Sequence, residues 1–370
     1  MNIALLSPSK NPYSETFIQA HKNLLSGNVF YYYGTKGNIQ LESQSQLVSK
    51  IQRLRYKVCQ KLCRKPYSYT NNRSVLQSLK KNKIDVVLVE YGEHAFQLKE
   101  MLEDSKLPFV VHFHGYDASV QKTLEHCNFY EEVFKLASKI VVVSKIMGAR
   151  LMQWGCPESK IIWTPCGPNL EFAKVVPFFK TQQFIAIGRF TDKKAPYYTI
   201  LAFAEVVKVF PKATLVMAGQ GELFNVCLNI IKYLNLEQNV KLVGVISPEV
   251  YRDYLETSIA FVQHSVTANN GDMEGTPVAV TEASLAGLPV ISTQHGGIPD
   301  VIINKKTGLL VKEHDVHGMA AAMITVLEDL EFAKQLGANG KINISSHYTL
   351  VRHIEQLNLV LEEAYKNNKE

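Results

Sequence analysis

A chain of 370 residues, 46% hydrophobic and 20% charged, has room for two α/β domains with separate cores and the composition of a soluble globular protein. No run reaches the ~18 apolar residues of a membrane-spanning helix, and the six cysteines show neither a CxxC pair nor a disulfide-framework spacing, so a reducing cytoplasm is expected. The net charge of +6 conceals an asymmetry: residues 1–170 hold 22 Lys and Arg against 13 Asp and Glu, whereas residues 171–370 hold 18 against 21.

The first part of the chain therefore faces something acidic. With no RNA-binding aromatic signature and no zinc-finger spacing, nucleic acid gives way to an anionic membrane or a phosphate-bearing acceptor. The opening residues Met1 to Pro8 carry no basic leader, and their apolar run has the length of a strand, Asn2 to Ser7. Ser14 can cap a helix running through Phe17 and Ile18 to Leu25. A nicotinamide-binding fold would place GxGxxG in this first loop, and none is there.

From Lys50 to Lys65 there are seven basic residues and no acid, with Ile51, Leu54, Val58 and Leu62 at helical spacing. This is either an interfacial helix or a helix whose stripe docks on the domain core with its cations in water. Ile84 to Val89, Phe109 to His114 and Lys139 to Val143 read as core strands separated by helical stretches, the pattern of a parallel sheet covered on both faces. Ligands bind beyond the carboxyl ends of such strands, where His114 sits before Gly115; His112, two positions earlier, is expected to be structural.

The loop-like run Trp163 to Asn169 marks a domain boundary, placed at residue 170. A strand from Phe184 to Ile187 then leads into Gly188, Arg189 and, five residues on, Lys194. A tight glycine followed by cations after a strand suits a diphosphate, whose charge must be neutralised in the leaving group. Gly219-Gln220-Gly221 lacks a third glycine and reads as a turn. A last helix is expected from His347 to Tyr365.

The densest stretch runs from Asp272 to Ile291. Pro277 suits a first helical turn, Gly287 a helix end, and Val290-Ile291 the strand that follows. Glu274 and Glu282 then flank a helix N-terminus. Were the helix to begin at Glu274, eight residues at ~1.5 Å each would part them by roughly 12 Å along its axis. The dipole-positive end and the amides of Gly275, Thr276 and Val278 would take a diphosphate, leaving Glu274 for sugar hydroxyls and Glu282 for ribose hydroxyls.

Ser265-Val266-Thr267-Ala268, Gly271-Asp272, Glu274 to Pro277, Glu282-Ala283 and Gly296-Gly297-Ile298-Pro299-Asp300 together resemble the glutamate–seven residues–glutamate signature of retaining glycosyltransferases of the GT-B fold, family 4. The likeness is specific from Val243 to Val301 and fainter over nearly the whole chain. It implies two facing Rossmann-like α/β domains with a central cleft: residues 1–170 for the acceptor, 171–346 for the nucleotide sugar, and a helix over 347–370 crossing back to the first. It matches His114 to a histidine facing the donor sugar, Arg189 and Lys194 to the phosphate-binding cations, and Val245 to a backbone contact with the base. Ala195 stands where the family usually has glycine, and Ser14 to Ile18 stand where it often has a Gly-Gly pair. No Asp-x-Asp occurs in the chain, so no metal or other cofactor is expected.

The reading is thus a metal-independent hexosyltransferase of cytoplasmic location, peripheral on the inner face of the membrane. It would move a sugar from a UDP- or GDP-sugar to a glycan or lipid-linked acceptor in polysaccharide biosynthesis. His114, Glu274, Arg189 and Lys194 carry the chemistry; Gly188, Gly275, Thr276, Pro277, Val278, Glu282 and Val245 bind the donor. The rivals are a non-catalytic nucleotide-sugar-binding subunit and a GT-B epimerase acting on a UDP-sugar.

Overall fold

A computed structural model of the chain describes residues 1–10 and 16–369, which leaves the expected cap at Ser14 outside the described residues. Contacts divide the chain into two compact units. The first comprises Met1–Val143, Met147–Thr164 and Ile354–Glu370; the second comprises Ser144–Ile146 and Pro165–His353. The chain thus leaves the first unit at Thr164, a few residues ahead of the expected boundary.

In the first unit a sheet is built from Asn2–Ser7 (β1), Asn28–Tyr33 (β2), Gln40–Leu41 (β3), Val86–Glu90 (β4), Phe109–Phe113 (β5), Lys139–Val142 (β6) and Ile161–Trp163 (β7). Its order is β3-β2-β1-β4-β5-β6-β7, parallel except for the β2–β3 pair. Strands β4 and β5 are buried along their whole length, as expected of apolar runs covered by helices on both faces. β4 starts at Val86 rather than Ile84 and ends on a buried acid, Glu90. The order reverses between β1 and β4, so ligands are expected beyond their carboxyl ends.

The second unit carries Gln183–Ile187 (β8), Thr214–Ala218 (β9), Val240–Gly244 (β10), Ala260–Gln263 (β11), Val290–Thr293 (β12) and Gly308–Val311 (β13). They form one parallel sheet in the order β10-β9-β8-β11-β12-β13. This is the doubly wound Rossmann order, and its switch point lies between β8 and β11. The loops that leave those two strands, Gly188 to Ala195 and His264 to Pro277, are the ones the sequence marks.

The expected last helix is two helices. Leu330–His347 ends where the prediction began, and after a break at Tyr348 and Thr349 a helix runs from Leu350 to Asn367. Thr349 Oγ1 accepts from the Arg352 amide at 3.2 Å and supplies the second start. Glu363 pairs with Lys139 at 2.9 Å and Asn358 accepts from the Ser26 amide at 2.9 Å, returning this helix to the first unit.

The acid-free stretch forms the helix Lys50–Leu62, capped by a reciprocal box between Ser49 and Gln52. None of its residues is buried. Ile51, Leu54, Val58 and Leu62 are 68%, 62%, 49% and 78% exposed, so the docked-stripe alternative does not hold. The side turned inward is polar: Gln60 accepts from Thr70 Oγ1 at 2.6 Å, and Cys59 Sγ lies 3.3 Å from Tyr69 Oη. No helix among the described residues is long and apolar enough to cross a membrane.

Candidate active site

At the switch point of the second sheet, β8 ends in Gly188 and Arg189, and a short turn, Asp192–Lys194, brings two adjacent lysines back toward β11. Lys193 is buried, with Nζ 2.9 Å from Asp272 Oδ1 and 3.4 Å from the Met273 carbonyl. It fastens the two loops together. Lys194 Nζ stands 3.2 Å from Glu274 Oε1 and 3.4 Å from Gln263 Oε1. An added Cβ at Gly188 would meet the Lys194 side chain at 3.4 Å, an ordinary contact, so space alone does not demand glycine there. Arg189 is exposed and makes no ion pair among the described residues.

Glu274 is 8% exposed, and its Oε1 is sealed from solvent with no hydrogen bond, the contact to Lys194 being an ion pair of poor angle. Burial works against its ionisation, but the positive charges of Lys194 and Lys193 prevail and hold the carboxyl below the usual range. Burial in turn lowers the Lys194 ammonium, with Glu274 opposing. A buried acceptor oxygen without a donor is costly. A hydroxyl group delivered by a ligand would satisfy it.

The backbone around Glu274 is fixed by groups the sequence reading passed over. The Glu274 amide donates to His295 Nε2 at 3.0 Å, so that nitrogen is unprotonated and Nδ1 carries the proton it gives to Glu313 Oε1 at 2.6 Å. Gly297 donates its amide to the Gly275 carbonyl at 2.6 Å. A Cβ on Gly297 would fall 2.2 Å from Thr276 Oγ1, and one on Gly296, which has φ +54°, 2.3 Å from the Glu274 carbonyl. These anchors change the expected geometry: the helix is Val278–Ala286 with Pro277 as its extended cap, and Glu274 lies in the loop ahead of it. The 12 Å rise along one helix therefore does not apply to the two glutamates. The amides of Val280 and Thr281 donate to the Pro277 carbonyl at 3.1 and 3.4 Å, whereas those of Val278 and Ala279 have no backbone partner among the described residues.

Glu282 lies one turn into that helix, half-buried, with no hydrogen bond or ion pair among the described residues. Burial pushes its carboxyl from 4.5 up to about 7. In the free protein the stability this group contributes is fully present below 4.5 and is lost as pH rises through about 7. Val245 directly follows β10 and is 49% exposed.

His114 belongs to the first unit, beyond β5, and is best described by its own surroundings. Its Nε2 lies 2.7 Å from Glu90 Oε2, while His21 Nδ1 lies 2.7 Å from Oε1 and His112 Nδ1 3.5 Å from Oε2. Burial opposes ionisation of Glu90, but the His21 charge and the nearness of all three rings hold it well below the carboxylate range; burial also lowers the His112 ring to about 3 and His114 below its ordinary value. Burial thus favours the uncharged form of the His114 ring, whose Nε2 is taken by Glu90. Phe17 stacks on it at 4.2 Å, and Asp117 accepts from the amides of His114, Gly115 and Gly92 at 2.9–3.0 Å. His112 is buried in the body of β5.

Two family profiles cover this arrangement, "Glycosyl transferases group 1" over residues 170–343 and "Glycosyltransferase Family 4" over residues 29–172. The chain belongs to the group 1 glycosyltransferases. Among curated relatives of this group 1 glycosyltransferase is the amylovoran biosynthesis glycosyltransferase AmsK of Erwinia amylovora, 32% identical over 65% of this chain and 60% of that one. A second is the putative colanic acid biosynthesis glycosyltransferase WcaL of Escherichia coli, 31% identical over 56% and 52%. The chain thus spans about half to three fifths of the length of these relatives. Its fold is that of Anabaena HepE, solved in complex with UDP: TM-score 0.78, 16% identity, 98% of this chain and 100% of that one. The HepE structure with UDP-glucose gives 0.77 at 17% identity, over the same 98% and 100%. The chain thus has the GT-B fold, two Rossmann-like domains with a C-terminal helix.

In the second unit the structure joins Gly188, Lys194, Glu274 and Gly275 at one sheet end and sets Glu282 on the adjoining helix. Lys193, Asp272, His295 and Glu313 are the neighbours that sequence reasoning missed there, and Glu90 is the one it missed beside His114 in the first unit. The only signals for them were their nearness to Lys194, Glu274 and Gly296, and for Glu90 an acid closing an apolar strand.

Proposed function

We propose that the chain transfers a hexose from a UDP- or GDP-sugar to a glycan or lipid-linked acceptor in polysaccharide biosynthesis, with retention and without a metal. One observation carries this reading: a buried, unsatisfied Glu274 oxygen facing Lys194 at the switch point of a Rossmann sheet, beside the start of a helix. The names of AmsK and WcaL support the polysaccharide, and the UDP complexes of HepE support the donor class.

In this reading Arg189, Lys194 and the amides of Gly275, Thr276 and Val278 take the diphosphate, which removes the need for a cation. The Lys194 ammonium exchanges part of its contact with Glu274 for a phosphate oxygen, freeing that carboxylate for sugar hydroxyls. His114 meets a sugar hydroxyl with Nδ1, since Glu90 already takes its Nε2. Glu282 receives the ribose hydroxyls and the backbone at Val245 meets the base. Glu274 is ion-paired and committed to hydroxyls, which makes it a poor nucleophile. A same-face path, with the departing phosphate helping to deprotonate the acceptor, therefore suits the site better than a covalent glycosyl-enzyme.

Calorimetric titration with UDP tests the division of labour. Glu282→Ala should weaken UDP binding, because the ribose contact exists with or without a sugar, whereas Glu274→Ala should spare UDP binding and lose turnover. Equal weakening by both changes contradicts the assignment.

The same titration has a pH signature. A carboxyl poised near 7 in the free protein ionises more readily once two ribose hydroxyls donate to it, so UDP binding releases a proton below about pH 7 and affinity rises with pH up to that value. At about pH 6 the observed enthalpy should vary with the ionisation enthalpy of the buffer, and Glu282→Gln should reduce the variation to the part that the terminal phosphate of UDP, itself titrating at about 6, contributes. The same proton release from Glu282→Gln as from the wild-type protein would remove Glu282 from the ribose.

The acceptor side of the proposal is peripheral attachment to the anionic inner face of the membrane through the helix Lys50–Leu62. Its support is an apolar stripe left in solvent and flanking cations that form no ion pair among the described residues.

A further inference from the structure

The first unit contains a cavity of about 410 Å³ that no part of the donor site explains. It is open to solvent on one side and bounded by the segment Gly37 to Val48, by the helix Lys50–Leu62 and by the helix Tyr69–Lys81. Its volume falls within the range of ordinary small-ligand sites. Arg53, Lys57 and Gln60, at positions i, i+4 and i+7, present one face of the basic helix to it, whereas Ile51, Leu54, Val58 and Leu62 do not line it. The helix therefore has two working sides, apolar outward and cationic over the cavity.

The frame of the cavity is already satisfied. Gln60 donates to the Pro66 carbonyl at 2.7 Å while accepting from Thr70, and the Asn71 amide bridges the Ile39 backbone at 2.9 and 3.0 Å. By contrast Asn38, Gln44, Arg53 and Lys57 line it without any side-chain hydrogen bond or ion pair among the described residues. No carboxylate lines it, and the nearby Glu42 is taken by Lys22 at 2.6 Å. Arg53 and Lys57 are exposed cations with no carboxylate beside them and attract an anion, and carboxamides, each both donor and acceptor, match hydroxyl groups that are also both.

We infer that this cavity binds an anionic carbohydrate, a sugar bearing a phosphate or a carboxylate. Arg53 and Lys57 hold the charge and Asn38 and Gln44 the hydroxyls. Only the naming of that sugar as the acceptor rests on the transferase reading. The same chemistry could arrive as a free sugar phosphate or as the head group of a lipid.

The test is titration of α-glucose 1-phosphate into the protein with excess UDP present, so that a donor site is filled. Arg53→Gln with Lys57→Gln should weaken binding about tenfold or more, as loss of two charge-assisted contacts requires. Arg55→Gln with Lys61→Gln, on the lipid-facing flank, should leave it unchanged. Inorganic phosphate should bind more weakly than glucose 1-phosphate; equal affinity would reduce the cavity to a bare anion site and overturn the proposal. Wild-type affinity in the Arg53/Lys57 variant, or no binding to the wild type, would overturn it too. Phosphatidylglycerol vesicles distinguish the sources: if the Arg53/Lys57 variant loses vesicle binding while keeping glucose 1-phosphate, the two cations serve the lipid surface and the cavity reading fails. UDP titrated alone reports separately on the transferase reading, whose failure would remove the word acceptor and leave the sugar-phosphate result to decide the cavity.

Discussion

Lys194→Ala is expected to lower the transfer rate about 100-fold or more, the usual consequence of removing a preorganised stabiliser of leaving-group charge. Lys194 meets Glu274 at 3.2 Å in a site where both are largely buried. Its loss removes the cation from the departing diphosphate and also leaves a buried carboxylate with less compensation. Breaking such a pair costs on the order of 3–5 kcal/mol when one partner is removed, so the variant should also unfold at a lower temperature, and the Glu274 carboxyl should move upward once burial is less opposed. Lys194→Arg restores charge with a different shape and should recover part of the rate. EDTA should change little. Strict dependence of the purified protein on Mg²⁺ or Mn²⁺ would contradict the role given to Lys194.

Charge reversal on the basic helix should have the second large effect. With Arg53, Arg55, Lys57 and Lys61 changed to glutamate, the protein should leave anionic vesicles in co-sedimentation while its thermal midpoint stays nearly unchanged. Each Lys or Arg near such a surface contributes about 1 kcal/mol; reversing Arg55 and Lys61 on the lipid-facing flank removes that attraction, and reversing Arg53 and Lys57 on the cavity side adds repulsion at longer range. The four residues are exposed and unpaired among the described residues, which is why stability should hold. The stripe itself forgoes roughly 1.5 kcal/mol or more per side chain by standing in water, a cost that partial insertion recovers. Binding should weaken with salt, since screening acts over about 8 Å at physiological ionic strength. Vesicle binding unaltered by the reversal would show that the helix does not face lipid.

The two Rossmann sheets were legible because apolar runs of strand length alternate with helical stretches, and parallel strands buried on both faces leave that pattern. The Glu274–Glu282 pair was legible as a motif but not as geometry. Pro277 reads equally well as a first helical residue or as the cap before it, and what decides is the Gly297 amide on the Gly275 carbonyl and His295 on the Glu274 amide, contacts from twenty residues downstream. Lys193 was hidden because two adjacent lysines look alike, whereas in the fold one is buried against Asp272 and the other faces Glu274. Glu90 was hidden for the opposite reason: one acid after an apolar run looks like the end of a strand, and only folding gathers His21, His112 and His114 around it. Ala195 shows the same limit. Its substitution for glycine reads as a stiffer loop, but its left-handed backbone, φ 36° and ψ 52°, appears only in three dimensions. The basic helix could not be assigned from its period at all, because an apolar stripe has the same spacing whether it faces a core or a membrane.

The central claim is that this chain by itself turns over a nucleotide sugar at the Lys194–Glu274 site. The direct measurement is release of nucleoside diphosphate by the purified protein from a panel of UDP- and GDP-sugars in EDTA, with a lipid-linked glycan present as acceptor. The account predicts release from at least one donor, dependent on the acceptor and reduced about 100-fold by Lys194→Ala. Nucleotide-sugar binding without release from any donor would contradict it and leave the chain a binding subunit.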